Sequence, residues 1–163
     1  MTQIKSRHAQ GAVLSWWQRL SRWPGGARMF SLGLGWIAPY SGSIRARVEE
    51  IRPGYARVGM RDRRRVRNHL RSIHAIALIN LGEIATGLAV LSTLGEDMRG
   101  IVLNLQADYV KKARGNLTAT AEFSLPQSLD DDTACEVEAE LRDPADEIVA
   151  VVKATWLLGY NKT

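Results

Sequence analysis

The chain of 163 residues contains a single cysteine, Cys135. One cysteine allows no internal disulfide, and it cannot form a thiolate metal cluster within one chain. The three histidines, His8, His69 and His74, do not have the spacing of metal ligands either. We therefore expect a protein of a reducing compartment, the cytoplasm, that holds no metal ion.

Long uninterrupted apolar runs are also absent. The most apolar stretch, residues 73–94, approaches the length that crosses a bilayer, but it contains His74, Asn80 and Glu83. The charge alone would cost on the order of 3 kcal/mol at the bilayer centre. The N-terminal segment has no apolar stretch of the length that a secretion signal needs. We expect neither export nor a transmembrane helix.

Several functional motifs are missing as well. The sequence has no glycine-rich phosphate loop and no serine nucleophile elbow. No helix-turn-helix, zinc-finger or aromatic-interleaved strand pattern accompanies its basic residues, so we expect no nucleic-acid partner. With 45% hydrophobic and 24% charged residues, the composition is that of an ordinary globular protein of one domain.

The N-terminal part is helical and rich in tryptophan. The pattern predicts two short helices, residues 9–23 and 27–38, separated by the turn Trp23-Pro24-Gly25-Gly26. Aromatic helices of this kind usually cover a core or a subunit interface. A membrane surface is the less favoured alternative, although Arg19, Arg22 and Arg28 are compatible with it. We divide the chain into a helical extension, residues 1–40, and a main domain, residues 41–163.

The main domain alternates polar and apolar residues as strands do. Predicted strands cover residues 44–49, 55–60, 101–110, 116–125, 134–141 and 148–158, and the apolar helix of residues 73–94 follows the second strand. Hairpin-length connections favour antiparallel pairing of the last four strands, with the first turn at Ala113-Arg114-Gly115. The helix is apolar almost all round. A second molecule must therefore cover the side that the sheet leaves open, unless the N-terminal helices do so.

Positive charge is concentrated in the first half of the chain. Residues 1–72 contain 15 Lys/Arg and 3 Asp/Glu, whereas residues 73–163 contain 7 and 14. Residues 61–72, which we call the arginine loop, immediately precede the apolar helix and carry Arg61, Arg63, Arg64, Arg65, Arg67 and Arg71. Guanidinium groups beside a helix N-terminus favour phosphate binding. The alternative is a solvated loop whose arginines pair with the acidic strand of Glu136, Glu138 and Glu140.

Three polar residues around the start of the apolar helix carry a family resemblance. Asn68 precedes His74 by six positions, and Glu83 follows it by nine. This spacing resembles that of the phenylacetate-type thioesterases of the hotdog-fold superfamily. The strings RNHLRSIHAIALINLGEIATG and YVKKARGNLTA are closer still to a bacterial family of unknown function in that superfamily. The resemblance covers roughly residues 30–160.

The resemblance implies an α+β hotdog fold, in which an antiparallel sheet wraps around one long helix. It also implies hydrolysis of an acyl-CoA or acyl-carrier-protein thioester, with CoA present only as part of the substrate and no separate cofactor. The functional unit would be a homodimer, expected to assemble further as a dimer of dimers. At about 100° per residue, His74 and Glu83 point to opposite faces of one helix, so one subunit cannot bring them together.

The family's dimers remove this difficulty, because their site lies between chains. Asn68, His74 and the backbone N–H of Ala75 from one subunit would face Glu83 of the other. Glu83 would act as general base or nucleophile. The CoA phosphates would bind a set of arginines in the arginine loop: Arg63, Arg64, Arg65, Arg67 and Arg71.

Two positions depart from the family's pattern, and other interpretations stay open. The His-Gly-Gly turn of the relatives is His74-Ala75-Ile76 here, and Gly87 stands where relatives often have a hydroxyl. The protein could instead be a non-catalytic acyl-CoA binder or a structural oligomer. His74 could be a core histidine at a helix start, and Glu83 could be the structural partner of an arginine such as Arg71.

Overall fold

The computed structural model describes residues 11–127, 129 and 132–161, so His8 lies outside the described residues. Three helices precede the first strand in the sequence, and one long helix follows the second strand. The helices are α1 (Ala12–Leu20), α2 (Gly26–Ile37), α3 (Pro39–Gly42) and α4 (Ala75–Leu91). The strands are β1 (Arg47–Arg52), β2 (Tyr55–Met60), β3 (Met98–Tyr109), β4 (Leu117–Glu122), β5 (Thr133–Arg142) and β6 (Ile148–Tyr160).

The six strands form one antiparallel sheet in the order β1-β2-β4-β5-β6-β3. Helix α4 contacts every strand, and α1 and α3 pack beside it. The predicted α+β architecture is therefore confirmed. The alternation in β5 is also confirmed, because Val137, Ala139 and Leu141 are buried while the intervening glutamates are exposed.

One predicted pairing is wrong. The turn at residues 113–115 does not join β3 to β4 as a hairpin, because β3 pairs with β6 at the edge of the sheet. The segment between β3 and β4 runs to the start of α4, where the Ile73 N–H donates to the Ala113 carbonyl oxygen at 2.9 Å. Alternating side chains identify a strand but leave its neighbour open, and the β5–β6 hairpin takes the place between β3 and β4.

Two partners cover most of α4 within one chain. Twelve of its 17 residues are buried, against the sheet on one side and against α1 and α3 on the other. Gly82 allows a close approach to β6, because a Cβ at this position would overlap the side chain of Val152. A stripe of Ile76, Ile79 and Glu83 stays partly exposed. The N-terminal helices thus cover part, but not all, of the side that the sheet leaves open.

Of the four tryptophans in the N-terminal helical part, only Trp17 is buried within the described chain. Trp17 is buried and packs edge-on against Phe30, with the ring centroids 5.3 Å apart, which holds α1 to α2. In contrast, Trp16, Trp23 and Trp36 are exposed, so the expectation that the tryptophans cover a core holds for Trp17 alone within this chain. Residues 39–42, predicted to end the helical section, form the extra turn α3. Among the described residues, no helix is long and apolar enough to cross a membrane.

Candidate active site

The first turn of α4 presents one unused backbone donor. His74 is the N-cap of the helix, and its Nδ1 accepts a hydrogen bond from the Ile76 N–H at 3.1 Å. The Ala75 N–H has no acceptor among the described residues. The His74 side chain is exposed, so the interpretation of a buried core histidine is wrong. An unpaired N–H at the positive end of a long helix is suited to a developing negative charge.

Asn68 shapes the arginine loop with its carbonyl group. Its Oδ1 accepts hydrogen bonds from the Leu70 N–H at 2.9 Å and from the Ser72 N–H and hydroxyl, both at 3.2 Å. This is the local turn that asparagine side chains commonly make. Its Nδ2 group has no acceptor among the described residues. Asn68 therefore fixes the loop with one end of its amide and leaves the other end available.

Glu83 is a half-buried carboxyl group with a single polar partner in the described chain. Burial raises its pKa, and a hydrogen bond with Ser41 of α3 partly opposes that effect. No described cation forms an ion pair with it. The suggested partner Arg71 is exposed at the left-handed end of the Asn68 turn, with φ 58°, so the structural ion pair is wrong. A carboxylate that is desolvated and not neutralised is well suited to accept a proton.

Two arginines of the arginine loop hold the loop in place. Arg63 donates to the Ile44 carbonyl oxygen, and Arg67 pairs with Asp62 at 2.6 Å. Asp62 also accepts from the Gly115 N–H at 3.0 Å, which ties the loop to the segment before β4. The Arg67 hydrogen bond lowers the pKa of Asp62.

The remaining arginines of the loop lack carboxylate partners in the described chain. Arg61, Arg64, Arg65 and Arg71 are exposed, and none has an ion pair among the described residues. Burial and the nearby Arg45 and Arg65 lower the pKa of Arg63, as expected where cations are crowded. The alternative of pairing with the acidic strand is wrong. In β5, Glu138 pairs with Lys153 and Glu140 pairs with Arg142.

A cleft of about 730 Å³ lies between the arginine loop, α2–α3 and the first turns of α4. Of the predicted site residues, Arg65, Arg67 and His74 line this cleft. The other predicted residues do not line it: Asn68, Ala75, Glu83, Arg63, Arg64 and Arg71. The cleft is therefore lined by arginines of the arginine loop and by the N-terminal residues of α4. The Glu83 carboxyl group lies outside it.

Two polar residues near the cleft were not predicted as site residues. Asn80 is 5% exposed; its Nδ2 donates to the Tyr40 carbonyl oxygen at 3.3 Å, and its Oδ1 has no partner. The sequence could have predicted a role for Asn80, because a polar amide is unusual within an apolar helix. Ser41 gave no local signal, because its contact with Glu83 spans 42 positions and only folding creates it.

A single chain does not bring His74 and Glu83 together. Nine residues of helix correspond to about 13 Å along the axis and to opposite faces. Glu83 does not line the cleft, whereas His74 does. Ile76, at one end of the exposed stripe, lines the cleft as well. Among the described residues, no three His, Cys, Asp or Glu side chains are grouped to hold a metal ion.

Comparison with known proteins identifies a family and a fold. The model of one family, described as a domain of unknown function (DUF4442), matches residues 26–158. A structural-genomics target, APC5556, has a TM-score of 0.79 at 29% identity, covering 91% of this chain and 99% of that chain. No curated protein matches.

Two further structures carry a functional description. PA5026 from Pseudomonas aeruginosa, described as a protein of unknown function and probable thioesterase, has a TM-score of 0.65 at 24% identity, covering 83% of this chain and 94% of that chain. The Haemophilus influenzae thioesterase HI1161 has a TM-score of 0.66 at 16% identity, covering 78% and 88%. The predicted hotdog fold is confirmed, and so is the predicted membership in a family of unknown function.

Proposed function

We propose that this chain, which belongs to the DUF4442 family, hydrolyses acyl thioesters of CoA or acyl carrier protein in the cytoplasm, at a site formed between two copies. The observation that carries the proposal is Glu83, a half-buried carboxyl group without a cation on the partly exposed stripe of α4. Burying such a group costs stability, and a structural role alone gives no reason to keep it.

In the proposed reaction Glu83 removes a proton from water. The water oxygen attacks the carbonyl carbon, and the carbonyl oxygen becomes an oxyanion. The Ala75 N–H of the other subunit donates to that oxyanion, with the Asn68 amide and His74 beside it. The C–S bond then breaks, and the thiolate takes up the proton to leave as a thiol. Glu83 is suited to its step because its raised pKa makes it a stronger base than an exposed glutamate.

Two exposed features support a dimer. The stripe of Ile76, Ile79 and Glu83 needs a cover, and Ile76 is 49% exposed. Strand β3 has 12 residues and pairs only with β6 in the described chain, so one of its backbone edges is open. Its Ile101 and Leu103 are exposed as well. A long unpaired edge strand is a template for pairing with another chain, and in the proposed dimer such pairing sets two α4 helices side by side.

A subunit-mixing experiment tests the composite site. Glu83→Gln removes the base, and His74→Asn removes the imidazole while keeping a residue that caps helices well. Each variant alone should be nearly inactive in a thiol-release assay with a panel of acyl-CoAs. After unfolding and refolding together, the mixture should recover about a quarter of wild-type activity, because half of the random dimers contain one intact site.

The same mixture also distinguishes a site formed between two chains from a site formed within one chain. If each site lay within one chain, mixing would restore nothing, because every chain would carry one defect. A mixture that stays inactive, although sedimentation shows mixed dimers, would contradict the composite site.

The free arginines of the arginine loop are expected to bind the CoA phosphates. Replacing Arg64, Arg65 and Arg71 by alanine should raise KM about tenfold while turnover changes less than about twofold, because the phosphates are remote from the reacting carbonyl. Arg63 and Arg67 are left intact, since they hold the loop. The matched control replaces three exposed arginines of the N-terminal helices, Arg19, Arg22 and Arg28, and should leave KM unchanged.

Two results would contradict this assignment of the arginine loop. Unchanged KM in the loop variant would remove the phosphate role. Duplex DNA binding with a steep linear fall of log affinity against log salt, lost in the loop variant, would assign these arginines to nucleic acid instead.

One observation favours a second function, a non-catalytic acyl-thioester binder. Ile76 stands where relatives have a second glycine, and its side chain lies against the cleft next to the donor at Ala75. This side chain narrows the approach of an acyl group to the backbone. Binding of acyl-CoA by calorimetry without thiol release from any acyl-CoA would support the binder and contradict the hydrolase.

A further inference from the structure

The N-terminal helices expose an unusually large apolar surface. We call the exposed side chains of α1–α3 and the turn before α2 the tryptophan face; they are Trp16, Trp23, Met29, Leu32, Trp36, Ile37 and Tyr40. Trp36 is 85% exposed and Trp23 is 72% exposed. Large aromatic side chains are usually buried, and exposed apolar side chains gathered on neighbouring helices favour an interaction surface.

The tryptophan face is held rigidly outward. In α2, Met29, Leu32 and Trp36 follow the spacing of one helical face. Phe30, on another side of α2, packs on the buried Trp17. The Ser31 hydroxyl accepts a hydrogen bond from the Val48 N–H of β1 at 2.9 Å. Helix α2 therefore cannot rotate its apolar stripe into the protein without breaking these contacts.

The charged residues of the N-terminal helices themselves are all positive. Residues 1–48 contain seven Lys/Arg and no Asp or Glu; of the seven, Lys5 and Arg7 lie outside the described residues. Arg19, Arg22 and Arg28 are exposed and have no ion pair in the described chain. Arg19 and Arg22 line a cleft of about 620 Å³ together with Leu20 and Trp23, so two of these arginines share a surface cleft with an exposed tryptophan.

This charge pattern selects among possible partners. A second copy that used the same face would bring two uncompensated groups of arginines together, which is unfavourable. An anionic bilayer offers the complementary arrangement, with phosphates for the arginines at its surface and an apolar interior just below. Tryptophan and tyrosine favour this interfacial region, and short amphipathic helices with basic flanks lie in it.

We infer that the tryptophan face docks on anionic phospholipid bilayers, with Trp36 and Leu32 inserted and the cleft of Arg19, Arg22 and Trp23 at the phosphate level. The exposure of Trp16, Trp23 and Trp36 departs from the expectation of a core position; the alternative expectation, a subunit interface, is separated from the bilayer by the experiments below. The inference does not depend on thioester hydrolysis, because the side chains assigned to the bilayer contact, those of Trp36, Leu32, Arg19, Arg22 and Trp23, do not line the cleft at the start of α4.

Flotation with vesicles of phosphatidylcholine containing phosphatidylglycerol tests the inference, and pure phosphatidylcholine is the lipid control. Wild-type protein should bind the anionic vesicles, with an affinity that falls as salt rises. Each arginine near the surface contributes about fivefold, so replacing Arg19, Arg22 and Arg28 by glutamine should weaken binding on the order of a hundredfold. The matched control is the Arg64/Arg65/Arg71 variant, which should bind nearly as wild type does.

A second pair of variants tests the apolar part. Leu32→Ser with Trp36→Ser should lose most vesicle binding, whereas Leu70→Ser with Val110→Ser, at comparably exposed positions elsewhere, should not. All four side chains are exposed, so each variant should fold, as circular dichroism would verify. Absent binding of wild type at low salt, or equal binding to neutral vesicles, would overturn the inference. So would dissociation of an oligomer by the Leu32/Trp36 variant, because the face would then be a contact between copies.

Discussion

Replacing Glu83 by glutamine is expected to lower turnover on the order of a hundredfold or more, the scale typical of losing a general base. Glutamine has nearly the same shape and can still accept the hydrogen bond of Ser41. The variant should therefore keep the fold and the oligomeric state of the wild type. Thiol release measured on the folded protein gives the rate, and sedimentation gives the state of assembly.

The same substitution is expected to stabilise the protein at neutral pH. Burial raises the pKa of Glu83, so the folded state prefers the protonated form. The stability from this group is fully present below pH 4.5, the ordinary pKa of a glutamate, and is lost as pH rises through the folded-state pKa. Glutamine stays uncharged throughout. The melting temperature of the variant should exceed that of the wild type at pH 7, and the difference should vanish below pH 4.5.

Glu122→Gln is the matched control, because Glu122 is an exposed glutamate at the end of β4. It should change neither turnover nor the pH dependence of melting. A normal rate of thiol release in the folded Glu83→Gln variant would mean that another residue is the general base. A large loss of stability at pH 7 would instead mean that a cation neutralises Glu83 in the assembled protein.

Replacing Gly82 by alanine is expected to lower the free energy of unfolding by about 1–3 kcal/mol, the usual range for overpacking a tight core. The added methyl group would overlap the side chain of Val152 on β6. Valine is β-branched and stiff, so it cannot swing aside within the strand. Helix α4 would have to move away from the sheet. Urea unfolding of wild type and variant gives the difference.

Gly33→Ala is the matched control for this change. Gly33 also lies within a helix, but a Cβ there would meet nothing within 4 Å. Its substitution should be neutral or add up to about 1 kcal/mol through helix propensity. Equal effects of the two substitutions would show that propensity, and not the contact with Val152, decides stability at Gly82. Because Gly82 neighbours Glu83, a displaced helix should also lower activity in the Gly82 variant.

The sequence by itself determined the elements and the chemistry available to them. Period-two alternation identified strands such as β4 and β5, because side chains on a pleated strand alternate between core and solvent. The apolar stretch after the arginine loop identified α4. The spacing of Asn68, His74 and Glu83 carried the resemblance that predicted the hotdog fold. These features depend on local periodicity and residue type, which a linear sequence contains in full.

Only the tertiary structure decided which distant segments meet. It placed β3 beside β6, brought Ser41 to Glu83, and turned Trp36 outward while Trp17 was buried. It also separated the arginines that hold the loop, Arg63 and Arg67, from those that are free. Contacts of this kind depend on which surfaces pack together and on loop paths across many residues. No short stretch of sequence specifies these contacts, because several strands have the same alternation of side chains and several residues carry the same charge.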